Sequence, residues 1–212
     1  MRRLLAAVLT CLVLAGCGPA GGDGGGASGS AGGTNGSGGS SARSAVDVDT
    51  PALRSLKRRA GIAACPAATS ASGLPDVSLP CLGGGRAVSL SRLRGPLVIN
   101  LFAQWCGPCR KELPYYQELS EKAHGRVQVL GVDYEDTLPA RALDLARTSG
   151  VRYPLLADPS ALLRKPFGVR GLPGIVLVDR GGKVRPVQLR AFRSYAELRD
   201  VVQQQLGVTL PA

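Results

Sequence analysis

The sequence predicts an α/β domain, on three observations. Short apolar runs of strand length recur at residues 97–103, 127–132 and 175–178. Longer segments between and after them carry apolar residues at helical spacing. Glycine and proline mark most of the junctions. The first of these strands runs into Trp105-Cys106-Gly107-Pro108-Cys109, and a charged helix start, Arg110-Lys111-Glu112-Leu113, follows.

The elements are expected in this order. Thr50-Pro51 opens a short helix through Leu53, Leu56 and Ala60, with Lys57, Arg58 and Arg59 on its solvated face. Gly83-Gly84-Gly85 is read as a turn, because it lacks the lysine and helix of a phosphate loop. Arg86 to Leu90 then forms part of a hairpin. Leu97 to Ala103 is the central strand, and Cys106 to about His124 is the first long helix. Leu113, Tyr116, Leu119 and Ala123 lie on its buried face, and Pro114 should kink it. His124-Gly125 closes it, with His124 as a surface residue. Val127 to Val132 is a strand and Leu138 to Ser149 a helix. Tyr153 to Ala157 is a short strand, after which Asp158-Pro159-Ser160 opens a helix to about Phe167. Ile175 to Val178 is a strand, and Arg180-Gly181-Gly182-Lys183 turns into a last one, Val184 to Leu189. Ser194 caps an amphipathic closing helix that ends at Gly207.

The chain of 212 residues fits one domain with appendages. Its net charge of +11 is spread over scattered arginines with only 4% aromatics, so a nucleic-acid interface is not expected. A basic solvated surface is the plainer reading, with a weak pull toward anionic lipid or an acidic partner. Six cysteines (11, 17, 65, 81, 106 and 109) imply an oxidising compartment. Met1-Arg2-Arg3 followed by the apolar run Leu4–Leu14 has the form of a signal segment and is shorter than the about 20 residues that span a bilayer. Leu14-Ala15-Gly16-Cys17 is similar to the lipobox of bacterial lipoproteins. It implies removal of residues 1–16 and lipidation of Cys17; ordinary secretory cleavage is the alternative. Residues 17–50, rich in glycine and serine, should form a tether of roughly 30 Å average span. Residues 51–72 read as an N-terminal extension and 73–212 as the domain proper.

A Cys-x-x-Cys pair at a strand-to-helix turn meets unpaired backbone N–H groups and the positive end of the helix dipole, which favour thiolate. Two such thiols can close and reopen a disulfide ring by exchange. Zinc would need a second ligand pair, which the remaining cysteines and the single histidine do not supply. Covalent haem would need histidine where Arg110 stands. No metal and no cofactor are therefore expected. Cys65-Pro66 and Pro80-Cys81 bracket a turn-rich stretch, and a disulfide there would act as a structural clasp worth about 3 kcal/mol; a relay of electrons to the main pair is the alternative.

Trp105 to Cys109 after an apolar strand resembles the active site of the thioredoxin superfamily. The element order is similar to a thioredoxin fold, a central mixed sheet flanked by helices, with an inserted strand-helix element as in the TlpA/ResA/DsbE-like group of tethered oxidoreductases. The resemblance covers residues 73–210. Asn100 stands where cytosolic thioredoxins usually carry aspartate, Glu112 matches the group's active-site glutamate, and Pro173 matches its cis-proline. Cys106, at the helix start, is read as the exposed nucleophile and Cys109, one turn inward, as the resolving thiol; Glu112 is a proton acceptor or tunes the thiol pKa values, with an exposed helix charge as the alternative, and by the resemblance Trp105, Leu172 and Pro173 line the substrate groove. Gly174 replaces a common threonine and implies a wider groove. The partners implied are protein thiols and disulfides, oxidised apocytochrome c among them, together with a membrane thiol-electron donor. The protein would be a lipid-anchored monomer on the outer face of a bacterial cell membrane. A disulfide-forming oxidase, a thiol peroxidase and a non-enzymatic lipoprotein binding module are the rivals.

Overall fold

A computed structural model describes residues 46–67 and 71–212. The expected leader, the lipidation candidate Cys17 and most of the tether lie outside the described residues. Helix α1 spans Pro51–Ala60; Thr50 Oγ1 accepts from Leu53 N at 3.2 Å, and Gly61 ends the helix at φ 66°. Strands β1 (Ser78–Leu79) and β2 (Val88–Ser89) form a small antiparallel ribbon. There follow β3 (Leu97–Phe102), α2 (Gly107–Lys122), β4 (Gln128–Tyr134), α3 (Pro139–Thr148), β5 (Leu155–Asp158), α4 (Arg164–Phe167), β6 (Gly174–Val178) and α5 (Tyr195–Leu206).

The main sheet has the order β5-β4-β3-β6. Strands β3, β4 and β5 are parallel, and β6 runs antiparallel to β3. The sheet is therefore mixed, and the β4-α3-β5 stretch extends it on the side away from β6. Every residue of β3 is buried, as expected of a strand covered on both faces. The period of two sorts its side chains. Val98 and Phe102 join a cluster with Leu113, Tyr116, Ala142, Leu198 and Val202, drawn from α2, α3 and α5. Leu97, Ile99 and Leu101 join Leu79, Val88, Leu90, Leu163 and Val169 on the other face. Leu53 and Ala60 of α1 belong to the first cluster, and α1 packs against α3.

Four expectations are corrected. Lys57 is buried, because the loop at Gly83–Gly85 folds over it; a Cβ on Gly83 would lie 2.9 Å from Lys57 Cβ and 3.1 Å from the Leu53 carbonyl. The glycines are thus required for a close approach as well as a turn. The last strand is reduced to two isolated bridges, Val178 with Val184 and Ile175 with Gln188. The helix expected from Ser160 begins only at Arg164, since the Asp158 carboxylate accepts from Leu162 N and Leu163 N and holds the preceding turn. The gap beside Gly174 is already filled: a Cβ there would lie 3.2 Å from Leu101 Cδ1 and Leu189 Cδ2, so the groove is not widened by the missing side chain.

Residues 80–82 lie along the outer edge of β5. Leu82 N donates to the Leu155 carbonyl, Ala157 N to that of Pro80, and Cys81 bridges Leu156. The Cys65–Cys81 disulfide ties the extension to this cover strand across a 16-residue separation. Replacing both cysteines by alanine should lower stability by about 3 kcal/mol through the opened loop, measured as a urea midpoint shift.

Candidate active site

Strand β3 delivers the chain to the edge of the sheet at Phe102, and α2 starts five residues later. Cys106 is the N-cap of α2: its Sγ accepts from Cys109 N at 3.2 Å, while Pro108 sits in the first turn, where a missing N–H costs nothing. Cys106 and Cys109 are joined in a disulfide with Cα atoms 5.3 Å apart. Cys109 is fully buried. Cys106, expected to be exposed, retains only 4% exposure in this oxidised state, because its sulfur is turned inward to its partner.

Gln104, Glu135 and Asp136, which the sequence reading did not single out, hold the approach to this helix together with Trp105 and Arg110. Gln104 N donates to Asp136 Oδ2 at 2.8 Å, and the Gln104 carbonyl accepts from Arg110 Nε at 2.8 Å. Trp105, half exposed, donates its indole N–H to the Glu135 carbonyl at 3.2 Å. Glu135 holds a left-handed φ of 52° and its carboxylate pairs with Arg164. Asp133, on β4 behind this loop, is buried, and burial together with the Asp136 carboxylate pushes it well above the usual range. An acidic residue at the end of an apolar strand was the available signal.

Glu112 lies one turn beyond Cys109 on the same side of α2. It is fully buried, and Oε2 accepts from Phe192 N at 3.0 Å, while Oε1 has no partner among the described residues. Burial pushes its carboxyl up to about 7, against the one backbone hydrogen bond that lowers it. Around it stand the buried polar groups of Asn100, Tyr116 and Tyr153. Asn100 Nδ2 donates to Tyr153 Oη at 3.4 Å, and the Tyr116 ring meets Phe192 edge-on at 6.3 Å between centroids. Burial, with the Glu112 charge, pushes both tyrosines up. The Leu172–Pro173 bond is cis, and Pro173 is buried next to the half-buried Leu172 at the start of β6. The arrangement can make and break a disulfide at a helix N-terminus while a neutral-range carboxyl holds or takes a proton.

Residues 71–187 match the AhpC/TSA family over more than half of the chain. The chain belongs to that family. It is also a thioredoxin-superfamily protein of the TlpA/ResA/DsbE-like kind. It is 32% identical over 102 residues to the thiol-disulfide oxidoreductase ResA of Bacillus thuringiensis, covering 47% of this chain and 58% of ResA. It is 32% identical over 124 residues to the thiol:disulfide interchange protein HelX of Rhodobacter capsulatus, covering 57% of this chain and 68% of HelX. The chain thus spans less than two thirds of the length of the ResA proteins it matches. Among solved structures it is similar to a DsbE-type thiol:disulfide interchange protein of Chlorobium tepidum, with TM-score 0.54, 27% identity, and coverage of 66% of this chain and 96% of that one.

The sign of the Glu112 effect on stability follows from its position. The folded-state value of about 7 lies above the ordinary 4.5, so the folded chain keeps a proton that the unfolded chain loses between those values. Its contribution is fully present below pH 4.5, falls by roughly 3 kcal/mol as pH rises to about 7, and is level above. Glu112→Gln should remove that fall, checked by comparing urea midpoints of the two proteins from pH 4 to pH 8.

Proposed function

We propose that the protein is an extracytoplasmic thiol–disulfide oxidoreductase that reduces disulfides of secreted or membrane-attached proteins, oxidised apocytochrome c among them. The observation that carries this reading is the Cys106–Cys109 disulfide at the N-terminus of α2, with the buried Glu112 carboxyl at about 7 one turn behind it. In the reduced enzyme the Cys106 thiolate, stabilised by the amide N–H groups of the helix start, attacks a partner disulfide. One partner sulfur leaves as thiolate and the other remains in a mixed disulfide. Glu112 accepts the proton of Cys109, whose thiolate then attacks Cys106 Sγ. The second partner sulfur is released, and the Cys106–Cys109 disulfide is restored. The pair returns to the dithiol state with two electrons from a membrane thiol donor.

The relatives' names, ResA, DsbE and HelX, each described as a thiol–disulfide oxidoreductase or interchange protein, support this class of reaction. The direction rests on Gly107-Pro108 between the cysteines, the dipeptide of thioredoxin, whose potential is about −270 mV. A lipid anchor at Cys17 would hold the domain at the membrane surface. No helix among the described residues is long and apolar enough to cross a membrane. The neutral-range Glu112 distinguishes this reading from a simple binding module, which has no use for a proton acceptor beside a disulfide.

Cys109→Ser should accumulate mixed disulfides with extracted envelope proteins, and Cys106→Ser should give none, read on non-reducing gels. Insulin reduction by the wild-type dithiol should show a rate inflection near pH 7 that Glu112→Gln abolishes. A measured Cys106–Cys109 potential near −120 mV instead of about −270 mV would reassign the protein as an oxidase.

A further inference from the structure

A second disulfide lies well apart from Cys106 in the sequence, and its two sulfurs are in opposite electrostatic settings. Cys81 Sγ receives the Lys57 ammonium at 2.8 Å, and the same nitrogen donates to the Gly84 carbonyl at 3.0 Å. Cys65 Sγ lies 3.3 Å from the Leu155 carbonyl oxygen, the negative end of a peptide dipole. Lys57 is 8% exposed and is held in place by the glycine loop that covers it. A buried lysine aimed at a sulfur is not needed for a structural clasp, since an apolar side chain would fill the space without losing hydration. Burial pulls its amine down, partly offset by Asp49 behind it. Asp49 is itself paired with Arg54.

Cys81 is buried, whereas the half-buried Cys65 opens onto a cavity of about 590 Å³. Arg54, Lys57, Arg58 and Arg86 line it with Ile62 and Cys65, and no carboxylate is among the described lining residues. That volume suits a small molecule rather than a folded partner. Its charge suits an anion.

We infer that Cys65–Cys81 is a second thiol–disulfide exchange site, at which a small anionic thiol attacks Cys65 Sγ and Cys81 leaves as a thiolate paired with Lys57. The attacking thiolate forms a sulfur–sulfur bond to Cys65 as the Cys65–Cys81 bond breaks, and the electron pair goes to Cys81. A second thiolate of the same kind then attacks the sulfur of the bound small molecule. It releases the small disulfide and leaves Cys65 as thiolate, which takes a proton from water. Two small thiols are oxidised and one protein disulfide is reduced. The asymmetry sets the regiochemistry, because the better-stabilised thiolate is the better leaving group. Lys57 is a catalytic residue of this site, since it touches the departing sulfur. The site is independent of the reading given to Cys106 and Cys109.

The test uses the full chain carrying Cys106→Ser and Cys109→Ser, so that the outcome does not depend on the first pair. The oxidised protein is exposed to glutathione, neutral 2-mercaptoethanol and cationic cysteamine at equal thiolate concentration. Differential alkylation and mass spectrometry then follow the peptides bearing Cys65 and Cys81. The expected result is a glutathione adduct on Cys65 and not on Cys81, with rates in the order glutathione, mercaptoethanol, cysteamine. Lys57→Met should slow all three by about tenfold, the loss expected for a hydrogen bond to a charged group, and Lys57→Arg should recover part of it. Arg58→Glu with Arg86→Glu, both at exposed positions, should slow glutathione more than mercaptoethanol, whose thiolate carries one negative charge fewer, and so shrink the preference for glutathione by about fivefold. If Lys57→Met does not fold, this surface pair decides. A disulfide that stays closed in the folded protein at millimolar thiol, an adduct on Cys81, or rates indifferent to every one of these substitutions would overturn the inference and leave a clasp.

Discussion

The burial of β3 on both faces is the constraint on which the rest depends. A strand with no solvated side must be covered by apolar layers above and below, and its backbone must be paired on both edges. Here β4 supplies one edge and β6 the other, while the helical layer and the ribbon side close the two faces. The chain can leave such a strand only at its end. Reversing into a helix there brings unpaired N–H groups to the sheet edge, where Cys106 caps them. The reactive geometry is therefore a consequence of sealing the core.

The same core contains several ionisable groups, and each does something that an apolar residue could not. Asp136 fixes the loop before Cys106 through two backbone N–H groups, those of Gln104 and Leu138. Asp158 does the same for the turn before α4. Glu112 ties α2 to the segment at Phe192, and the Arg190 guanidinium lies over that ring at 4.9 Å. The first two carboxylates each accept two backbone bonds, while Glu112 accepts one and leaves an oxygen without a partner among the described residues. Burial of a carboxylate is costly unless its lone pairs are satisfied. Of these three, Glu112 is the least satisfied; its proton is held into the neutral range, and it follows Cys109 by one helical turn.

The sequence reading was strongest where one local signal decided the outcome. The Thr50-Pro51 start of α1, the Ser194 cap of α5, the buried strands and the cysteine turn each depend on a few neighbouring residues, and they stand where periodicity and capping put them. It was weakest where tertiary contact overrides the local signal. Nothing local shows that Lys57 turns inward, since a basic run on an amphipathic helix looks solvated until Gly83–Gly85 is packed on it. The segment after Gly182 has strand composition, but its pairing with β6 shrinks to two bridges as Leu189 closes over Gly174. The loop-holding roles of Arg110, Glu135 and Asp136 were missed because they act through backbone groups of a loop whose path only the folded chain defines. The cis bond at Gly95–Pro96 was not foreseen, whereas that at Pro173 was expected from resemblance alone.

The two disulfides illustrate one physical problem solved twice. Exchange at a chosen sulfur requires that the two thiolates of a pair differ in energy, and a symmetrical environment would leave the order of attack undefined. In the Cys106–Cys109 pair the difference comes from the backbone, because one sulfur caps a helix and accepts an amide hydrogen bond while the other is fully buried. Neither Cys65 nor Cys81 caps a helix among the described residues. The difference there comes from a side chain, since a buried ammonium faces one sulfur and a carbonyl oxygen the other. A clasp of purely mechanical purpose gains nothing from such polarity and bears the desolvation of Lys57 in addition. The placement of that charge, more than the presence of the bond, is what argues that the extension contributes chemistry as well as packing.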